Sequence, residues 1–142
     1  MQYWLFKSEP SDWSWDDQVA KGAAGEEWNG VRNYQARNFM REMRLGDLGF
    51  FYHSQKDKAV VGIVAISAES HPDSTTEDAR WDCVDIRAVR PFTAPVTLDQ
   101  IKGEPSLSDM VLVRNSRLSV QPVSASEWIR ICEMGGTSPA SS

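Results

Sequence analysis

The residue types best suited to chemistry gather in one stretch of this 142-residue chain, Trp28-Asn29-Gly30-Val31-Arg32-Asn33-Tyr34-Gln35-Ala36-Arg37-Asn38-Phe39. An indole offers a face on which a base can stack, asparagine offers donors and acceptors to a base edge, and arginine pairs with phosphate. Continuing downstream, Ala36, Phe39, Met40 and Met43 fall at i, i+3, i+4 and i+7, which predicts one buried face of a helix. Arg37, Arg41 and Arg44 fall at i, i+4 and i+7, a basic stripe along a neighbouring face. Asn33 suits the N-cap of this helix, and Gly46 lies just past its end. Trp28 to Arg32 is then the loop feeding a helix N-terminus, whose unpaired N–H groups favour a phosphate or a polar base edge. The same residues also fit a plainer reading, with Trp28 in the core and the arginines on a solvated face.

Composition narrows the classes. The length fits one domain with a core of ordinary size, 41% hydrophobic and 25% charged. No apolar run approaches the roughly 20 residues of a membrane span, and the N-terminus lacks the pattern of a signal peptide. Cys83 and Cys132 are far apart and match no metal spacing, which points to a reduced, cytoplasmic compartment. With His53 and His71 as the two histidines, neither a metal site nor a cofactor is expected. The net charge of −5 argues against bulk electrostatic binding to duplex nucleic acid. Residues 28–44 nevertheless hold four arginines against one glutamate, a local basic patch. Of the six tryptophans, Trp4, Trp13, Trp15 and Trp128 are assigned to core or helix packing.

Elements that would position these residues can be read in order. Tyr3 to Phe6 reads as a strand, and Ser14 with Asp17 as a capping box for a short helix through Lys21. Leu48 to Ser54 and Ala59 to about Ala68 read as a hairpin, the second strand buried on both faces. His71 to Arg80 reads as an exposed loop, followed by a strand from Trp81 to Pro91. Thr97 with Gln100 and Ser124 with Glu127 are further capping boxes, and Leu118 to Val123 is a strand with Pro122 suited to an edge. Thr137 to Ser142 is a small-residue tail expected to be disordered. The sum is an α+β domain over residues 1–135, with five or six strands curled into a partial barrel and short helices at its ends.

Four segments then match something known. Trp4 to Pro10, Trp28 to Asn38, Phe51 to Ser54 and Arg117 to Val123 together resemble the EVE domain family, which includes the thymocyte nuclear protein of eukaryotes. The resemblance implies a PUA-like pseudo-barrel related to the YTH readers of methylated adenine. It also implies a pocket for a modified base, such as a modified cytosine, in DNA rather than RNA. By the same resemblance Lys7 and Ser8 end the first strand at the pocket, Trp28 is the first aromatic wall and Trp81 a candidate second wall. The strand around Tyr52, His53 and Ser54 would flank it, with Asn29, Arg32 and Asn33 beside the base and Arg37 and Arg41 on phosphates.

The expected function is therefore a non-enzymatic, monomeric reader of a modified nucleobase. A hydrolase of modified nucleosides is the rival, since Lys7, Glu9 and His53 could do acid–base work, although no nucleophile motif accompanies them. A protein-interaction module built on exposed aromatics is the third reading.

Overall fold

The computed structural model describes residues 1–55 and 57–140. Six strands form one mixed sheet: β1 (Tyr3–Ser8), β2 (Glu26–Glu27), β3 (Leu48–His53), β4 (Ala59–Pro72), β5 (Asp82–Thr97) and β6 (Val120–Val123), in the order β2-β5-β4-β3-β1-β6. β1 runs parallel to β3, and every other pair is antiparallel. The α+β expectation holds. Among the described residues β2 and β6 stay unpaired with each other, so the sheet is left unclosed, as expected of a partial barrel.

The helices are α1 (Trp15–Ala20), α2 (Tyr34–Glu42), α3 (Leu98–Lys102), α4 (Val111–Arg114) and α5 (Ala125–Met134). Their starts follow local chemistry. Ser14–Asp17, Thr97–Gln100 and Ser124–Glu127 each form a reciprocal capping box, and Asn33 Oδ1 accepts the Ala36 N–H at 2.8 Å. The apolar stripe of α2 is seated as its spacing requires, with Ala36, Met40 and Met43 fully buried.

Alternation along β3 divides the interior into two cores. Phe50 and Tyr52 face one, with Leu5, Val60, Ile63 and Trp128; Phe51 faces the other, with Trp4, Phe6, Trp15, Trp28 and Met40. Gly62 makes room for the second core, because a Cβ there would sit 2.5 Å from the Trp15 ring.

Several boundaries differ from the sequence reading. β1 continues past Phe6 to Ser8, β4 past Ala68 to Pro72, and β5 through Pro91 to Thr97. Bulges explain the last two, since the β4–β5 register shifts at four places and Pro91 lies opposite Gly62 beside one of them. The last described residues are tied down. Trp128 Nε1 donates to the Pro139 carbonyl at 3.1 Å, and the Arg90 guanidinium donates to the Ser138 and Ala140 carbonyls. The remainder of the expected disordered tail, Ser141 and Ser142, lies outside the described residues.

Candidate functional site

A cleft of about 530 Å³ opens beside Trp28. Its wall is assembled from the end of β1 (Lys7, Ser8, Glu9), the following turn (Asp12, Trp13), the run from Glu26 to Arg32, and Ser119 ahead of β6. Residues distant in sequence converge because β1 is held on both sides. The Lys7 N–H donates to the Ser119 carbonyl and the Ser8 carbonyl accepts the Ser54 N–H, each at 2.9 Å.

Two indoles line the cleft. Trp28 is anchored by its backbone N–H, which donates to the Val84 carbonyl at 2.8 Å. Its ring stands edge-on to Phe6 (centroids 5.3 Å) and Phe51 (5.7 Å), leaving the residue 9% exposed. Trp13 is half-buried, and its indole N–H donates to Gln18 Oε1 at 2.9 Å. Gln18 is itself buried and donates to the Ile86 carbonyl at 3.0 Å, so a core amide sets the angle of Trp13. The Ser8 hydroxyl donates to the Trp13 carbonyl at 2.5 Å, which leaves its lone pairs available as acceptors.

Asp73 shapes the loop after Trp28. Its carboxylate is buried and accepts the Gly30 N–H (2.8 Å), Arg32 Nη1 (3.1 Å), and both the N–H (2.8 Å) and hydroxyl (2.5 Å) of Thr75. Burial acts to raise its pKa, but the donors from Thr75, Gly30 and Arg32 outweigh it and hold the group down at about 2. An ionised Asp73 thus fixes the backbone at Gly30, where φ is +80°. This residue falls in the segment read as an exposed loop, and nothing in that polar run distinguished it.

The lining is charged, with Glu9, Asp12, Glu26 and Glu27 against Lys7 and Arg32. Burial lowers the pKa of Lys7, whose ammonium donates to the Ser116 carbonyl at 2.5 Å. Burial works to raise Glu27, and hydrogen bonds from Ser74 and Cys83 reverse it, holding the carboxyl below its usual range. Carboxylates in this number repel a phosphate and suit a ligand that presents N–H donors.

Of the residues singled out from sequence, Lys7, Ser8, Trp28, Asn29 and Arg32 line the cleft together. Five others do not. Asn33 is spent as the α2 cap, and Tyr52 points into the opposite core, where burial pushes its phenol up to about 12. His53 is structural, with Nε2 accepting the Trp15 N–H at 3.0 Å and Nδ1 lying 3.2 Å from Asp57. Ser54 serves through its backbone. Trp81 stacks on Tyr34 at 4.9 Å, with the Arg32 and Arg37 guanidinium groups 5.4 and 5.9 Å from its ring centre. The aromatic that lines the cleft beside Trp28 is Trp13, which the sequence reading gave to packing. A signal was available: it precedes the capped start of α1 and so escapes any helical period.

The basic stripe is largely consumed within the protein. Arg41 Nε pairs with Asp82 at 2.7 Å. Arg37 donates to the Arg80 carbonyl at 2.9 Å and to Asn38 Oδ1, both uncharged acceptors.

Comparison with known proteins fits this geometry. The EVE domain family matches residues 2–134. The chain belongs to the EVE domain family. Thymocyte nuclear protein 1 of mouse is 36% identical over 97% of this chain and 75% of its own length. The crystal structure of a protein from Agrobacterium tumefaciens superposes with a TM-score of 0.95 at 59% identity, covering 96% of this chain and 94% of that one. Human THYN1, solved in complex with 5-methylcytosine-containing DNA, superposes with a TM-score of 0.89 at 34% identity over 98% of this chain and all of the other. A YTH domain from Zygosaccharomyces rouxii, at 17% identity and a TM-score of 0.58, shares the fold. No helix among the described residues is long and apolar enough to cross a membrane. The expectation of a cytoplasmic setting meets relatives whose name is nuclear.

Proposed function

We propose that this EVE domain binds nucleic acid by taking one modified base, displaced from its stack, into the cleft between Trp13 and Trp28. The observation that carries the reading is the convergence of both indoles with Ser8, Asn29 and four carboxylates in a 530 Å³ space. That volume suits a single base rather than a duplex. An extruded base is read by an aromatic face and by hydrogen bonds to its edge. Carboxylates accept from an exocyclic amino group, which favours cytosine or adenine over thymine. The complex of human THYN1 with 5-methylcytosine-containing DNA supports a modified cytosine in DNA as the first ligand to test.

Arg37 lacks a carboxylate partner among the described residues and keeps its charge for a flanking phosphate, whereas Arg41 shares its charge with Asp82. Ligand and protein meet one to one, with no bond broken.

The test is fluorescence anisotropy with single-stranded and duplex oligonucleotides carrying cytosine or 5-methylcytosine. Wild-type protein prefers the modified strand. Trp13→Ala removes about 1–3 kcal/mol of that binding while the thermal melt stays close to wild type, because Trp13 is half-buried. Equal binding of the two oligonucleotides would defeat the reading, and release of a free base or nucleoside would replace it with a hydrolase.

A further inference from the structure

Residues of β2, β4 and β5 that start at the cleft rim form a second constellation. Glu27 lies opposite Asp85 across the β2–β5 pair, and His71 lies opposite Cys83 across the β4–β5 pair. Cys83 and Asp85 are two apart on β5, and a strand's period of two places them and their cross-strand partners toward one face. Ligand atoms of Glu27, His71 and Cys83 lie within 4.8 Å of one another. We propose that Glu27, His71 and Cys83 bind a divalent transition cation of the zinc type, with Asp85 as the fourth ligand.

Sequence spacing concealed this set, because its histidine and cysteine come from different strands and its other members are carboxylates. Sulfur, imidazole nitrogen and carboxylate oxygen together form a donor set for zinc rather than for calcium or magnesium. Bond lengths to zinc put ligand atoms roughly 3.3–3.8 Å apart in a tetrahedron. Cys83 Sγ stands 3.2 Å from Glu27 Oε1, and His71 Nε2 stands 2.7 Å from Asp85 Oδ1. Small side-chain adjustments therefore suffice.

The ligands are already oriented. The Ser74 N–H and hydroxyl each donate to Glu27 at 2.7 Å, and His71 Nδ1 meets the Pro72 carbonyl at 3.0 Å, which directs Nε2 inward. The field is also suitable. Glu27, Asp73 and Asp85 surround the Cys83 thiol with carboxylates, and that excess of negative charge attracts a cation. On binding, the Cys83 thiol proton and the His71 Nε2 proton leave to solvent while the metal takes their places. Such an ion would staple the two-residue strand β2 to its neighbours and fix Glu27 at the cleft rim. The proposal shares Glu27 with the cleft lining, and its test reads metal binding alone.

The probe is cobalt(II) chloride titrated into the full chain, followed by zinc chloride. At one equivalent a thiolate-to-cobalt charge-transfer absorption is expected, bleached by zinc, which also raises the melting temperature. Cys83→Ala abolishes the absorption and Cys132→Ala preserves it. Cys83 is fully buried, so the ligand role is tested also at less buried positions: Glu27→Gln and His71→Asn each weaken cobalt binding tenfold or more. An absent absorption, one that survives in all three ligand variants, or one lost with Cys132→Ala would overturn the site.

Discussion

The two faces of the sheet use the same kind of residue for opposite ends. On one, Trp128 is fully buried, stacked on Phe50 at 3.9 Å and on Tyr3 at 4.6 Å. On the other, Trp28 is held edge-on by Phe6 and Phe51 and borders an open cleft. The first face is closed by α5 and its capping box; the second is left with polar loops at its margin. An aromatic cluster is thus not itself a binding signal. What marks the second face is that its indoles stand beside the polar side chains of Ser8 and Asn29 and a loop pinned by a buried carboxylate.

The contrast can be broken most severely at Trp128. Trp128→Ala removes a fully enclosed indole and should cost about 3–5 kcal/mol of stability, read by urea denaturation. Its surviving folded fraction should keep the preference for the modified base.

Asp73→Ala comes next. It orphans the Gly30 N–H and the Arg32 guanidinium, and charge-assisted hydrogen bonds of this kind are worth about 1.5–3 kcal/mol each. Ligand affinity should fall further than global stability, because the loop released lines the cleft. Equal losses in both would show that the loop is only structural.

An alkaline titration separates the faces chemically. The Tyr52 phenol is pushed from its ordinary value near 10 up to about 12 by burial. The unfolded chain releases that proton first, so stability present below pH 10 is lost as pH rises toward 12. Tyr52→Phe should blunt this alkaline loss in melts across that window and leave base binding at neutral pH unchanged.

The smallest effect distinguishes two arginines of one helix face. Arg37→Gln should weaken modified and unmodified oligonucleotides alike and flatten the salt dependence of binding. Arg41→Gln should do so less, because Asp82 already neutralises it. A reversed order would mean that the Arg41–Asp82 pair opens on binding.

Much of this was legible before the fold. The capping boxes at Ser14, Thr97 and Ser124, the Asn33 cap and the apolar stripe of α2 all depend on neighbours within four residues, and local spacing states them. The strand ends were less legible, since a bulge beside Gly62 permits Pro91 inside β5 where local rules end a strand. In the cleft, Lys7, Ser8, Trp28, Asn29 and Arg32 came through the family resemblance. Trp13 and Asp73 did not, because their partners, Gln18 and the Gly30–Arg32 loop, are assigned only by tertiary structure. Tyr52 and His53 were drawn in by being adjacent in sequence to the right strand, while alternation sends Tyr52 to the far core and hydrogen bonds commit His53 to α1.

The most direct measurement is a heteronuclear NMR titration of the tryptophan indole N–H resonances with an oligonucleotide bearing 5-methylcytosine. The account predicts that the signals of Trp13 and Trp28 move, while those of Trp128, bonded to the Pro139 carbonyl, and Trp4, bonded to Asp47, stay in place. Movement confined to Trp81, beside the exposed Tyr34, with Trp13 and Trp28 silent, would place the base outside the cleft and contradict the account.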